Sequence, residues 1–194
     1  MCGNKIVRFI WGRLSSFFIG TNLQEVVALT KDEKKILMEN WLKLKEKHPD
    51  LFLRAWIKSA KGSVNIKKAT GLREDEDPET NRRFISLSPL IENFVDKLII
   101  EYHCNDTKIA ESCRILGARH KLIENFHTNF WDIFLGNLVQ IIADVHSERE
   151  REREQQEIAE ICEKFFAFFV TFMCDGYKKR AQEELSGRRR LNAS

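Results

Sequence analysis

The sequence predicts an all-α protein, and three observations carry that prediction. Apolar residues recur at three- and four-residue steps through most of the chain, no segment alternates with the period of two that a half-buried strand needs, and a capping box opens the first regular segment. Thr30 and Glu33 form that box, ahead of an apolar series at Ile36, Leu37, Trp41 and Leu44. A second helix is predicted over about residues 49–60. Gly62, Gly71 and the acidic run from Arg73 to Glu79 then mark a connection with little long structure of its own. Next comes a long helix over about residues 81–102, whose apolar face carries Phe84, Leu87, Ile91, Phe94, Val95, Leu98 and Ile99. Pro89 falls inside it and is expected to kink it or remove one backbone hydrogen bond. A shorter helix follows from Thr107 to about His120, then one defined by Phe126, Phe130, Trp131, Phe134, Leu138 and Ile142, and a last one from Ile158 to Arg180. Six to eight helices are expected in all.

Composition narrows the function classes. At 194 residues the chain exceeds what one helical domain needs, about 150 residues, so the surplus is assigned to the ends. Thirty-two basic and 29 acidic residues leave a net charge of only +3, with signs interspersed, which argues against a nucleic-acid partner. The five cysteines form no CxxC pair and no zinc spacing, as expected in a reducing compartment such as the cytoplasm. A Cys104–Cys113 disulfide is not favoured. Arg8 and Arg13 interrupt the first apolar run, so no stretch reaches the roughly 18 uncharged apolar residues of a membrane span. A Gly-rich phosphate loop, an HExxH motif and a serine nucleophile elbow are all absent, and no ordinary hydrolase or transferase is expected.

The chain divides into an N-terminal extension over 1–28, a helical body over 29–181 and a basic tail over 182–194. Residues 1–23 hold Lys5, Arg8 and Arg13 without an acid, and Ile6, Ile10, Leu14, Phe17 and Phe18 recur at helical spacing. Three readings of this basic amphipathic segment stand side by side: peripheral contact with an anionic membrane surface, with Cys2 open to acylation; a mitochondrial presequence; or a helix folded back on the body. Glycine is third, so the usual myristoylation pattern is not met. The strict Glu/Arg alternation from Glu148 to Glu154 reads as a solvated helix extension laced with weak ion pairs.

Chemistry gathers at His120. The run from Cys113 to His120 ends a short helix and sets Leu116 and His120 one turn apart on the same face. Taken alone, such a histidine reads as a core residue whose ring N–H finds a carbonyl. Its context resembles the globin family, in particular divergent, nematode-like members. The Thr-x-x-Glu start with Trp41 resembles the first globin helix, and Leu116-Gly117-x-x-His120 resembles the proximal motif. An apolar helix before it, an aromatic helix after it and the closing Phe165-Phe166-x-x-Phe169 and Met173-x-x-Gly176-Tyr177 stand in globin order across residues 29–181.

That resemblance implies a haem cofactor, with His120 as the proximal ligand to iron through one ring nitrogen and its other N–H held by the chain. Leu116, Phe126, Phe130, Trp131, Phe134 and Leu138 would wall the haem, although the same aromatic stripe would also serve as cofactor-free core. Leu87 takes the distal-ligand position, with Ile91 one turn on. Histidine or glutamine is usual there in oxygen-storing globins, and Leu87 can donate no hydrogen bond, an interaction worth about 1.5–3 kcal/mol to a polarised ligand. Ser86 and Ser88 flank it, and Phe52 and Trp56 are expected to point toward the pocket. A second departure is Ala69 or Thr70, where globins place a phenylalanine against the haem.

Three functions are therefore expected in competition. The first is a non-enzymatic globin that binds dioxygen or another diatomic gas. The second is a haem redox or sensor protein at a membrane surface, and the third a haem-free helical interaction module. Oligomeric state is not legible.

Overall fold

A computed structural model describes residues 28–144 and 152–191. The N-terminal basic segment and most of the Glu/Arg run, on which two of the readings above fall, lie outside the described residues. Within them the protein is all-α: α1 (Lys31–Lys47), α2 (Leu51–Lys61), α3 (Val64–Ala69), α4 (Arg82–Ile85), α5 (Ser88–Asp96), a π-helical turn (Lys97–Glu101), α6 (Asp106–His120), α7 (Asn129–Asp144) and α8 (Glu152–Leu191).

Local chemistry sets most of the boundaries. Thr30 caps α1 through the reciprocal box with Glu33, at 2.8 and 3.2 Å. The side chains of Ser63, Asn81 and Asn105 accept from the first-turn amides of α3, α4 and α6. The single helix expected over 81–102 is instead two, and Pro89 explains the break. A proline ring inside a helix would meet the carbonyl four residues back, that of Ile85, which is where α4 ends. Pro89 sits in the first turn of α5, where its missing N–H costs nothing. At its far end α5 widens into the π-turn, after which His103 and Cys104 take left-handed backbone (φ 51° and 52°) to turn the chain into α6. The last helix is longer than its apolar pattern, running 40 residues, about 60 Å, across the start of the basic tail.

One main core draws on α1, α2, α5, α6, α7 and α8, with Trp41, Phe52, Leu138, Phe165 and Phe166 fully buried in it. A smaller cluster of Ala60, Ile66, Leu72, Phe84 and Phe130 fills the corner made by α3, α4 and the start of α7. Polar ties fix the outer helices. Trp41 donates to Asp96 at 2.7 Å, and Lys45 bridges Glu92 and Asp96, joining α1 to α5. Ser59 accepts from Asn137 at 3.0 Å where α2 crosses α7.

The tightest contact is between α6 and α8. A Cβ on Gly117 would stand 1.9 Å from the Met173 carbonyl oxygen, and one on Gly176 would stand 2.0 Å from that of Arg114. Each helix thus lays a glycine on the other's backbone, and Arg114 clamps the crossing with an ion pair to Asp175 at 2.7 Å. Gly176→Ala should lower unfolding free energy by about 1–3 kcal/mol, the usual cost of overpacking. Gly187→Ala, with nothing within 4 Å of the added carbon, should raise it by about 0.5–1 kcal/mol. Urea denaturation of the two variants checks both signs.

Candidate functional site around His120

His120 closes α6 three residues beyond the glycine crossing. Its Nδ1 lies 2.9 Å from the carbonyl oxygen of Leu116. A carbonyl only accepts, so Nδ1 carries the proton and Nε2 presents a lone pair. Nε2 has no hydrogen-bond partner among the described residues. Burial opposes the charged imidazolium and outweighs the Leu116 bond, which favours it, so the pKa falls below its ordinary value and the ring is neutral at pH 7.

Aromatic rings enclose this imidazole. Phe126 lies 4.9 Å away centroid to centroid, and Trp131 meets it edge-on at 5.3 Å and 75°. Asn125, in left-handed backbone at φ 60°, turns the chain so that Phe126 folds back over the ring. Tyr177 of α8 supports both aromatics, perpendicular to Trp131 at 6.2 Å and donating its hydroxyl to the Phe126 carbonyl at 3.4 Å.

The residues expected at the site are thus only partly brought together. Leu116, His120, Phe126 and Trp131 form one group. Phe130 touches it through Phe126 at 5.4 Å but belongs to the smaller cluster. Phe134 and Leu138 lie farther along α7 in the main core, Phe134 against Trp56 at 5.9 Å. Leu87, just ahead of α5, and Ile91 within it are half-buried. Helices α5 and α6 are not among the closely packed pairs; α6 packs on α8, and α5 on α2.

Several polar groups expected near Leu87 are engaged elsewhere. Trp56 stacks on Phe84 at 4.8 Å and gives its indole N–H to the Phe84 carbonyl. Ser86 donates to the Arg83 carbonyl at 2.7 Å. Phe52 packs in the main core between Trp41 and Phe134. Thr70 caps α3 by donating to the Ile66 and Lys67 carbonyls, and Ala69 rests on the cluster built by Phe84. An aromatic wall at that corner comes from Phe84, which the periodic pattern marked only as a core residue.

Comparison with protein-family models, curated proteins and solved structures finds no match to this chain.

Two features of the site escaped the sequence reading. Trp131 Nε1 and Asp132 Oδ1 are the side-chain atoms that stand buried without a hydrogen-bond partner among the described residues. Neighbours on a helix point about 100° apart, so these two cannot satisfy one another. Burial drives the Asp132 carboxyl up to about 6, with His127 pulling weakly the other way. Nothing in residue spacing signals an orphaned atom. Cys104, Cys113, Cys162 and Cys174 are free, with burial raising their thiols to about 11, 12, 12 and 11.

The two titrations act in opposite directions. Folded Asp132 keeps a proton that the unfolded chain has released between about pH 4 and 6, so its contribution to stability falls as pH rises through that window. Asp132→Asn should therefore be more stable than the parent above pH 6, and the gap should close toward pH 4. His120, with its depressed pKa, loses stability for the fold as pH drops below about 6.5. Unfolding midpoints measured from pH 4 to 8 separate the two groups.

Proposed function

We propose that this protein is a globin, binding haem iron through His120 Nε2 and taking dioxygen or another diatomic gas on the side facing Leu87 and Ile91. The observation that carries the reading is the Leu116–His120 bond. It fixes the tautomer with Nδ1–H inside the helix and leaves the Nε2 lone pair unclaimed, while burial keeps the ring neutral, and a metal-bound imidazole requires both.

The residues present fit the group. A porphyrin brings four of its own nitrogens to iron, so one axial histidine suffices. That the described residues hold no group of three or more His, Cys, Asp or Glu able to bind a metal ion is therefore compatible with it. Leu116, Ile91, Phe94 and Phe126 are apolar side chains half-buried against the main core, the kind of lining a flat apolar cofactor needs. Bound haem would supply the iron that takes the gas. The chain's own part is to orient the axial ligand from the α6–α8 crossing, exclude water with aromatics, and set an apolar Leu87 on the gas-binding side.

An apolar Leu87 favours a second reading. It can donate no hydrogen bond to a polarised ligand, and the Trp56 and Ser86 donors are engaged by carbonyls. Iron held there would oxidise readily in air, which suits a redox or sensor role better than storage. None of the described helices is long and apolar enough to cross a membrane. A membrane role would rest on peripheral contact through Lys5, Arg8 and Arg13.

Titration of the protein with haem, followed by its visible spectrum in the ferric state and reduced under carbon monoxide, tests the proposal. A stoichiometric Soret band is expected, absent in His120→Ala. Acid should release the haem as pH falls through the depressed pKa of His120, because a proton then competes for Nε2. Equal haem uptake by the His120→Ala variant would remove the ligand assignment and leave a helical interaction module as the reading.

A further inference from the structure

Charge is unevenly shared along the chain. The end of α6 with the turn after it, residues 114–124, and the last part of α8, residues 175–191, together hold nine basic residues and four acidic ones, whereas the whole chain has a net charge of only +3. The two stretches adjoin, Arg114 pairing with Asp175 at 2.7 Å and Lys121 with Glu184 at 3.5 Å. Three of the four acids, Asp175, Glu183 and Glu184, are already held in ion pairs by Arg114, Arg180 and Lys121. Arg119, Lys178 and Lys179 are exposed, and Arg188, Arg189 and Arg190 follow in the same helix.

Large apolar side chains are exposed at the same place. Leu122, at 66%, is the most open of the large apolar residues described; its neighbour Ile123 is 42% exposed, and Leu185, beside Glu184, is 59% exposed. A lone exposed leucine is ordinary on a protein surface. Here two apolar residues are consecutive in a turn, flanked by Arg119 and Lys121. The Leu122 and Ile123 amides donate to the Arg119 and His120 carbonyls at 3.0 and 3.1 Å, so both can leave water without losing a hydrogen bond.

We propose that this surface is a membrane contact: Leu122, Ile123 and Leu185 enter the interfacial layer of an anionic bilayer, and the surrounding arginines and lysines meet its negative headgroups. Charge selects this occupant, since a second copy would bring the same cation surplus against itself. Apolar side chains that stand proud of a turn also need no matching hollow in a fluid lipid layer, whereas a protein partner must supply one. The contact belongs to the folded body, and depends neither on haem nor on the basic N-terminal segment.

Co-sedimentation of the full chain with vesicles of phosphatidylcholine, alone or with about one third phosphatidylserine, tests this. Binding is expected to the anionic vesicles only, and should weaken as salt rises and screens the headgroups. Combining Leu122→Ser with Ile123→Ser should lower the partition coefficient about tenfold or more, through loss of two interfacial aliphatic side chains. Arg119→Gln should lower it about fivefold. All three residues are exposed, so the urea midpoints of these variants should match the parent's; Leu185→Ser, on the other helix, provides the same readout if the turn variant folds poorly. Failure of the parent to bind anionic vesicles overturns the inference, as does equal binding by the turn and Leu185→Ser variants, which would place the contact elsewhere in the chain. A lipid-free dimer of the parent that the turn variant abolishes also overturns it, making this face a contact between copies.

Discussion

Two helices meeting backbone to backbone hold the centre of this protein. Gly117 and Gly176 each fill a place where any β-carbon would sit within about 2 Å of a carbonyl oxygen of the opposite helix, so α6 and α8 can have only one spacing. Three residues past that crossing stands His120, and one residue past it stands Tyr177, which props the aromatics around the histidine. A contact this close tolerates no sliding, since packed interiors transmit displacement instead of absorbing it. Both the direction of the imidazole and the shape of its aromatic enclosure follow from it.

The state of His120 then comes from two opposed effects of unequal size. Its bond to Leu116 favours the protonated ring, and its burial disfavours it more. Neutrality therefore results from enclosure, while the identity of the protonated nitrogen results from the bond. Both are needed to present a lone pair to a ligand, and they arise from different parts of the structure: the bond from the helix's own four-residue repeat, the enclosure from the turn at Asn125 and from α7 and α8.

Side-chain ties secure α5 against α1. Lys45 joins Glu92 and Asp96, and although burial works against its charge, these two partners raise its pKa on balance. Trp41 adds a neutral donor to the same Asp96. These ties pull α5 onto α1, and together with the break at Pro89 they set Leu87 at the helix start. Leu87 and Ile91 stay half-buried, and the Trp56 indole and the Ser86 hydroxyl are engaged by carbonyls.

How much of this could be read from residues alone divides along the range of the interaction. Helical class, the Thr30 capping box, the α6 end at His120 and the apolar faces of α7 and α8 are local, set by neighbours three or four positions apart, and the sequence by itself determined them. Pro89 was legible as a disturbance, and the structure adds that it divides the helix, α4 ending at Ile85 and α5 opening at Ser88. The tertiary structure alone decided that Phe134 and Leu138 belong to the core more than to the His120 enclosure, and that Phe84 fills the corner at Ala69. It alone decided that Trp131 keeps an unpaired N–H where Trp41 and Trp56 do not. The reason is physical: periodicity fixes which face a side chain occupies, whereas its partners on that face come from elements dozens of residues away, through contacts that no local spacing encodes.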